Sequence, residues 1–172
     1  MNKKKLSEKC KKIKLVLTDV DGVLTDGGRY FSEKGEVLKK FHTRDGMGVN
    51  LLLRNGIKTA IVTKEKSKIV KKWSKEMNVS KLYDGVIHKE MKLNQICKDF
   101  GIKKDEIAYI GDDVNDVDLL SKVGLSITPG DGIDSLKNIV DYTCKKNSGD
   151  GAFREISDLI LSIKFPKKQK WY

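Results

Sequence analysis

The sequence predicts an α/β fold: a mostly parallel β-sheet with helices on both faces. Apolar, β-branched runs at 13–18, 57–62 and 107–110 read as buried strands, and segments with helical spacing of apolar residues separate them. Strands that alternate with helices are joined by right-handed crossovers, which makes the strands parallel. Polar clusters close three of the strands, at Asp19/Asp21, Thr63 and Asp112/Asp113. Ligands of such sheets bind at the carboxyl ends of the strands, where the strand order switches, so one site can gather all three clusters.

The first strand, Ile13 to Thr18, runs into Asp19-Val20-Asp21-Gly22. Strand periodicity puts both carboxylates on one face, although the turn that follows can rotate the second away. Two acids at the end of a buried strand are unfavourable unless something positive joins them. A hard divalent cation such as Mg2+, which takes oxygen ligands, would do so. Gly22 lets the backbone turn tightly and approach a ligand. Arg29 to His42 reads as a β-hairpin with Gly35 at a position needing positive φ, and its mixed polarity predicts that it projects from the core.

A helix through Leu51, Leu52 and Leu53 stops at Asn55-Gly56. The second buried strand, Ile57 to Val62, ends at Thr63. Lys66 to Met77 has the pattern of a basic amphipathic helix, Lys81 to Tyr83 that of a short strand, and Lys89 to Phe100 that of a helix stopped by Gly101. Ile107 to Ile110 is the next strand. The acids after it, Asp112, Asp113 and Asp116, suit metal binding and the orientation of metal ligands, although acids also favour a helix N-terminus. A helix through Leu119 and Leu120, strands at 124–128 and 140–143, and a last helix from about Ala152 to Ile163 complete the order.

The formal net charge of +11 invites a nucleic-acid reading, but its distribution opposes one. Residues 1–12 carry +5 and residues 164–172 carry +4, which leaves +2 for the body. We therefore read 1–12 and 164–172 as basic, solvated tails and 13–163 as a single domain. No aromatic residues interleave with a basic stripe in the body, so neither RNA nor DNA is an expected partner. Cys10, Cys97 and Cys144 are too widely spaced for a zinc site and too few for a disulfide framework. No apolar segment follows the lysine-rich start, and none is long enough to span a bilayer, so a cytoplasmic protein without a membrane partner is expected.

Asp19-Val20-Asp21-Gly22-Val23-Leu24-Thr25 matches D-x-D-G-x-x-T, the first motif of the haloacid dehalogenase superfamily. The chain resembles that family through three more motifs in the family's order. Thr63 closes a hydrophobic strand, Lys89 stands at the third motif's lysine, and Gly111-Asp112-Asp113-Val114-Asn115-Asp116 matches G-D-D-x-x-D. The resemblance implies a Rossmann-like phosphatase that uses Mg2+. Asp19 would be the nucleophile and Asp21 the general acid and base. Asp19, Asp21 and Asp112 would hold the metal, with Asp113 and Asp116 orienting its ligands. Thr63, Lys64 and Lys89 would bind phosphate. Apart from the resemblance, Thr63 reads as the start of an ordinary loop and Lys89 as one solvated lysine among many.

The spacings from Thr25 to Thr63 and from Thr63 to Lys89 leave no room for a cap domain. Several further stretches look like the capless branch that dephosphorylates 2-keto-3-deoxy sugar acids. They include Thr43-Arg44-Asp45-Gly46-Met47-Gly48 and Gly149-Asp150-Gly151-Ala152-Phe153-Arg154-Glu155. That likeness implies a role in lipopolysaccharide or sialic acid biosynthesis, and a homotetramer in which the hairpins pack together and a neighbour's C-terminal segment covers the open site; the hairpin at 29–42 and the glycine-rich 148–151 loop fit those roles. It also implies a substrate such as 3-deoxy-D-manno-octulosonate 8-phosphate or a nonulosonate 9-phosphate.

Glu65 departs from the arginine usual in the branch, and Asp150 from another; both remove positive charge near an anion site. Glu65 resembles the relatives that act on nine-carbon acids. Arg44 and Arg154 remain as carboxylate binders, or else as members of structural ion pairs. A phosphatase of another small sugar phosphate, or a non-catalytic assembly subunit of a sugar-acid activation pathway, are the competing readings; the intact acids disfavour the second. Trp73 and Trp171 carry no assigned role, with ordinary packing favoured over an interface for Trp73.

Overall fold

The computed structural model describes residues 2–166. In chain order its elements are α1 (Lys3–Lys12), β1 (Leu15–Thr18), β2 (Tyr30–Ser32), β3 (Gly35–Leu38), α2 (Thr43–Arg54), β4 (Lys58–Val62), α3 (Lys68–Glu76) and β5 (Lys81–Tyr83). These are followed by α4 (Leu93–Phe100), β6 (Ile107–Ile110), α5 (Val117–Leu120), β7 (Leu125–Thr128), α6 (Asp134–Lys137), β8 (Tyr142–Thr143) and α7 (Ala152–Lys164). Short 3-10 turns precede α4, β6 and α5.

Six strands form one sheet in the order β5-β4-β1-β6-β7-β8, every pair parallel. β1 lies at the centre, with Leu17 opposite Ala60 on one side and Tyr109 on the other. The chain builds outward through β4 and β5, then crosses to β6 and builds the other way. The switch in strand order therefore falls between β1 and β6.

Alternation along the strands divides the core in two. Val16, Ile61, Ala108 and Ile110 face a layer that includes α2 and α7, whereas Leu15, Leu17, Val62 and Tyr109 face Leu93, Ile96, Leu119 and Leu136 of α4, α5 and α6. Helices α2 and α7 approach closely where Gly48 lines the contact. A Cβ on Gly48 would lie 2.8 Å from Ser157 Oγ and 3.3 Å from Arg154 Cα. The 43–48 stretch is thus partly a packing device.

Two sequence expectations change here. Residues 1–12 are not a solvated tail: α1 lays Cys10, fully buried, and Leu6 against the core. Asn2 caps it by accepting from Lys4 N at 2.9 Å. Its lysines occupy the opposite face, and Lys9 pairs with Asp141. Charge counting alone overlooked the apolar positions that give α1 something to bury. At the other end α7 runs on to Lys164, which donates to Ile13 O at 2.5 Å, and Phe165 also packs on the core. The rest of the expected C-terminal tail, with Trp171, lies outside the described residues.

The hairpin β2–β3 forms its own two-stranded antiparallel sheet, with Gly35 at φ +107°. It projects as expected and turns Tyr30, Phe31, Val37 and Leu38 to solvent. Trp73 of α3 stacks on Phe41 below the hairpin, with centroids 4.6 Å apart, so packing explains it. No cap domain interrupts the described chain.

Candidate active site

Three strand tips meet at the switch. Asp19 follows β1 and is held there by its backbone N–H, which donates to Ile110 O at 3.1 Å. Val20 N donates to Asp19 Oδ1 at 2.7 Å, leaving Oδ2 for another partner. That partner is Lys89, whose side chain is fully buried. Lys89 Nζ lies 2.5 Å from Asp19 Oδ2, 2.6 Å from Asp116 Oδ1 and 3.3 Å from Tyr109 Oη. A lysine in this setting stays charged: burial works against the ammonium, but Asp19 and Asp116 outweigh it and raise its pKa.

Asp116 is the hub of the site's floor. Besides Lys89, its Oδ1 accepts from Tyr109 Oη at 2.5 Å, and its Oδ2 accepts from the backbone N–H groups of Asp112 and Asp113 at 2.9 and 3.3 Å. Gly111 permits this turn, since a Cβ there would come within 2.5 Å of the Asp116 carboxylate. Gly22 plays the same part across the cleft. Its φ is +80°, and a Cβ would come within 1.9 Å of Asp112 Oδ2.

Asp19, Asp112 and Asp116 each place a carboxylate oxygen within 4.8 Å of the others. Three carboxylates face a single ammonium. Burial, and then the neighbouring charges of Asp19 and Asp116, push Asp112 up to about 8. Burial likewise pushes Asp19 to about 6, against the opposing pull of Lys89. The Asp112 carboxylate accepts no hydrogen bond among the described residues. An excess of buried, oxygen-only negative charge fits a hard divalent cation. Asp19 and Asp112 could hold it, whereas the oxygens of Asp116 are already engaged.

The Asp21 carboxylate is not in this cluster. The turn after β1 rotates it onto Lys39, 2.5 Å from Nζ, so any part of Asp21 in holding a metal would not come from the cluster of side chains. Asp19 and Asp21 nevertheless line one cleft of about 190 Å³, together with Arg29, Thr63, Lys64, Glu65, Asp112, Asp113 and Asn115. Thr63 is buried, its N–H donating to Tyr83 O, and its hydroxyl has no partner among the described residues. The 148–151 loop braces the wall from within the same chain: Ser148 Oγ donates to Gly22 O at 2.5 Å, and Gly149 N to Val23 O at 3.0 Å.

Arg44 and Arg154 are not brought to this cleft. They line a separate and larger depression of about 480 Å³ with Lys145, Lys146, Asp150 and Glu155. Arg154 Nε is held by Asp158 Oδ1 at 2.8 Å, one helical turn away, so this arginine is a member of a structural ion pair. The larger depression lacks the chemistry of the smaller one, since its anions are paired internally. Conversely, sequence reasoning passed over Arg29, which reaches Glu65 at 3.7 Å and Glu36 at 3.4 Å across the mouth of the cleft. It also passed over Asn115, Tyr109 and Lys39. Asn115 sits inside the G-D-D-x-x-D motif and could have been singled out; the other three carry no local signal.

Fold and site together define a hydrolase with an α/β core and its acids at the strand switch. The chain belongs to the haloacid dehalogenase-like hydrolases: the profile of that family matches residues 51–156. It is 36% identical over 156 residues to the 3-deoxy-D-manno-octulosonate 8-phosphate phosphatase KdsC of Haemophilus influenzae, covering 91% of this chain and 87% of that one. The cobalt-bound structure of the phosphatase from that organism superposes with a TM-score of 0.89 at 36% identity, covering 91% of each chain. The Moraxella catarrhalis enzyme, solved with magnesium, phosphate and KDO, gives 0.91 at 35% identity, covering 95% and 94%. Within the family the chain is a hydrolase of phosphoric monoesters. No helix among the described residues is long and apolar enough to cross a membrane.

Proposed function

We propose that this protein removes phosphate from a 2-keto-3-deoxy sugar acid phosphate, with 3-deoxy-D-manno-octulosonate 8-phosphate as substrate and Mg2+ as cofactor. The observation that carries the reading is the buried Asp19–Lys89 pair on the floor of a cleft that also holds Asp112 and Thr63. The relatives named above supply the substrate class.

In this reading Asp19 attacks phosphorus and becomes phosphorylated, which splits one difficult displacement into two easier ones. Lys89 orients the Asp19 carboxylate and balances its charge as the phosphate arrives. Thr63 Oγ1 and Lys64 bind phosphoryl oxygens. Asp21 gives a proton to the leaving alkoxide and takes one from the water that hydrolyses the phosphorylated Asp19. A divalent cation on Asp19 and Asp112 would screen the repulsion between carboxylate and phosphate and stabilise charge on the transferring group. Asp113 and Asp116 hold the turn that presents Asp112.

Glu65 favours a second substrate reading. An acid paired with Arg29 at the cleft mouth is suited to a longer, hydroxyl-rich chain, as in a nonulosonate 9-phosphate of the sialic-acid kind. Phosphate release from the eight-carbon and nine-carbon substrates, measured side by side, separates the two readings. Chelation by EDTA should abolish release and Mg2+ should restore it; turnover that ignores EDTA would remove the metal from the account.

The exposed apolar side chains of the hairpin support self-association as a homotetramer, and the composition supports a cytoplasmic home. Light scattering of Phe31→Ser against the parent protein tests the assembly, with a smaller species expected from the variant.

A further inference from the structure

The hairpin is inverted in polarity. Val37 and Leu38 face solvent, while Lys39, next in sequence, turns inward with its side chain fully buried. A lysine on a projecting element could easily leave its ammonium in water, and lysines are rarely buried without a partner that holds them. Here Lys39 Nζ lies 2.5 Å from Asp21 Oδ1 and 2.9 Å from Glu36 Oε1. Glu36 is itself fixed: it accepts from Ser67 Oγ at 3.3 Å and from Arg29 Nε at 3.4 Å. The Asp21 carboxylate is therefore tied through one ammonium to the hairpin and to the residue that caps α3. Thr25 Oγ1, 3.4 Å from the same Oδ1, adds a weaker restraint.

We propose that Lys39 is a positioning residue for Asp21, fixing Oδ1 so that Oδ2 is the oxygen that meets the leaving group. The inference rests on the role given to Asp21 above. As the P–O ester bond breaks, its electron pair goes to the leaving oxygen, and the proton on Asp21 Oδ2 transfers there. In the second half, water loses a proton to Asp21 as its oxygen bonds phosphorus and the bond from phosphorus to Asp19 breaks. A carboxylate free to swing on the turn after β1 would spend less time in line with that oxygen.

The test compares leaving groups, because an alkoxide needs the proton and a nitrophenolate hardly does. With Lys39→Met, kcat/KM for an alkyl phosphate should fall roughly 10-fold or more, and that for p-nitrophenyl phosphate less than about threefold. Lys39→Arg, which keeps the charge, should recover part of the alkyl rate. Equal losses on both substrates, or no loss on the alkyl one, would overturn the proposal. Should Lys39→Met fail to fold, Lys39→Gln retains a donor but not the charge and is expected to show the same split. Glycerol phosphate can serve as the alkyl substrate. A parent enzyme inactive on sugar acid phosphates therefore counts against the substrate reading and leaves this comparison standing. A crystal structure of the variant gives an answer without turnover: Asp21 is expected in a new side-chain conformation, and an unmoved carboxylate would sink the idea.

Discussion

Asp19 and Asp45 are both buried carboxylates, and burial pushes each up to about 6. Their surroundings differ. Asp19 stands at the end of the central strand, on the floor of a cleft, with Lys89 against one oxygen and Asp112 and Asp116 close by. Asp45 lies in the first turn of α2, sealed under α7, where its Oδ1 accepts from Arg154 N at 2.8 Å and its Oδ2 has no hydrogen-bond partner among the described residues. One acid gathers charge where a ligand can enter. The other caps a neighbouring helix across 109 residues of sequence. A raised proton affinity is thus no guide to chemistry by itself. What separates the two is access to solvent and the presence of other charges.

The sharpest test of that contrast is the pair of asparagine variants. Asp19→Asn should lower phosphate release by roughly 10³-fold or more, since it removes the nucleophile. Asp45→Asn should leave kcat/KM within about twofold, as expected of a group that touches no reacting atom. Comparable losses in both would erase the distinction.

Lys89→Met probes the first region from the cation's side. It leaves Asp19 and Asp116 buried without their counter-charge, at an expected cost of about 3–5 kcal/mol of unfolding free energy in a urea titration. A loss below about 1 kcal/mol would mean that solvent already screens the cluster.

The second region answers to pH. The pKa of Asp45 in the fold is raised above its ordinary value of 3.8, so the stability linked to its proton is fully present below about pH 4. That stability is lost as pH rises through about 6. Between pH 4 and 7 the parent protein should therefore lose up to about 3 kcal/mol relative to Asp45→Asn. Urea titrations of both proteins across that range check the sign; parallel curves would show that Asp45 binds its proton no more tightly folded than unfolded.

Gly48→Ala is the mildest probe. Its methyl would press on Ser157 and on the backbone of Arg154, easing α7 away from the cap. We expect a loss of about 1–3 kcal/mol with the catalytic rate preserved.

Much of the site is legible in the sequence, because its signals are local. An apolar β-run that ends in Asp-x-Asp-Gly, or in Gly-Asp-Asp, announces a strand tip carrying acids, and the turn glycines fit only where the backbone must bend sharply. The parallel sheet follows from the alternation of strands and helices. The hairpin and its Gly35 turn follow from equally local cues.

Sequence alone therefore determined the strands, their succession along the chain and the acids at their ends, since each of these depends on neighbouring residues and on the oxygen chemistry of a hard cation. Only the tertiary structure could choose among like side chains. It turned Lys39 inward while Lys40 stayed outside, and it buried Lys89, which the family motif had already singled out, beneath Asp19, 70 positions away. It gave Asp45 to a helix end, and sent Arg44 and Arg154 to a different depression. An ammonium, a guanidinium or a carboxylate has no role of its own. Its charge is worth little in water and much in a dry interior, and the contacts that remove the water come from remote parts of the chain.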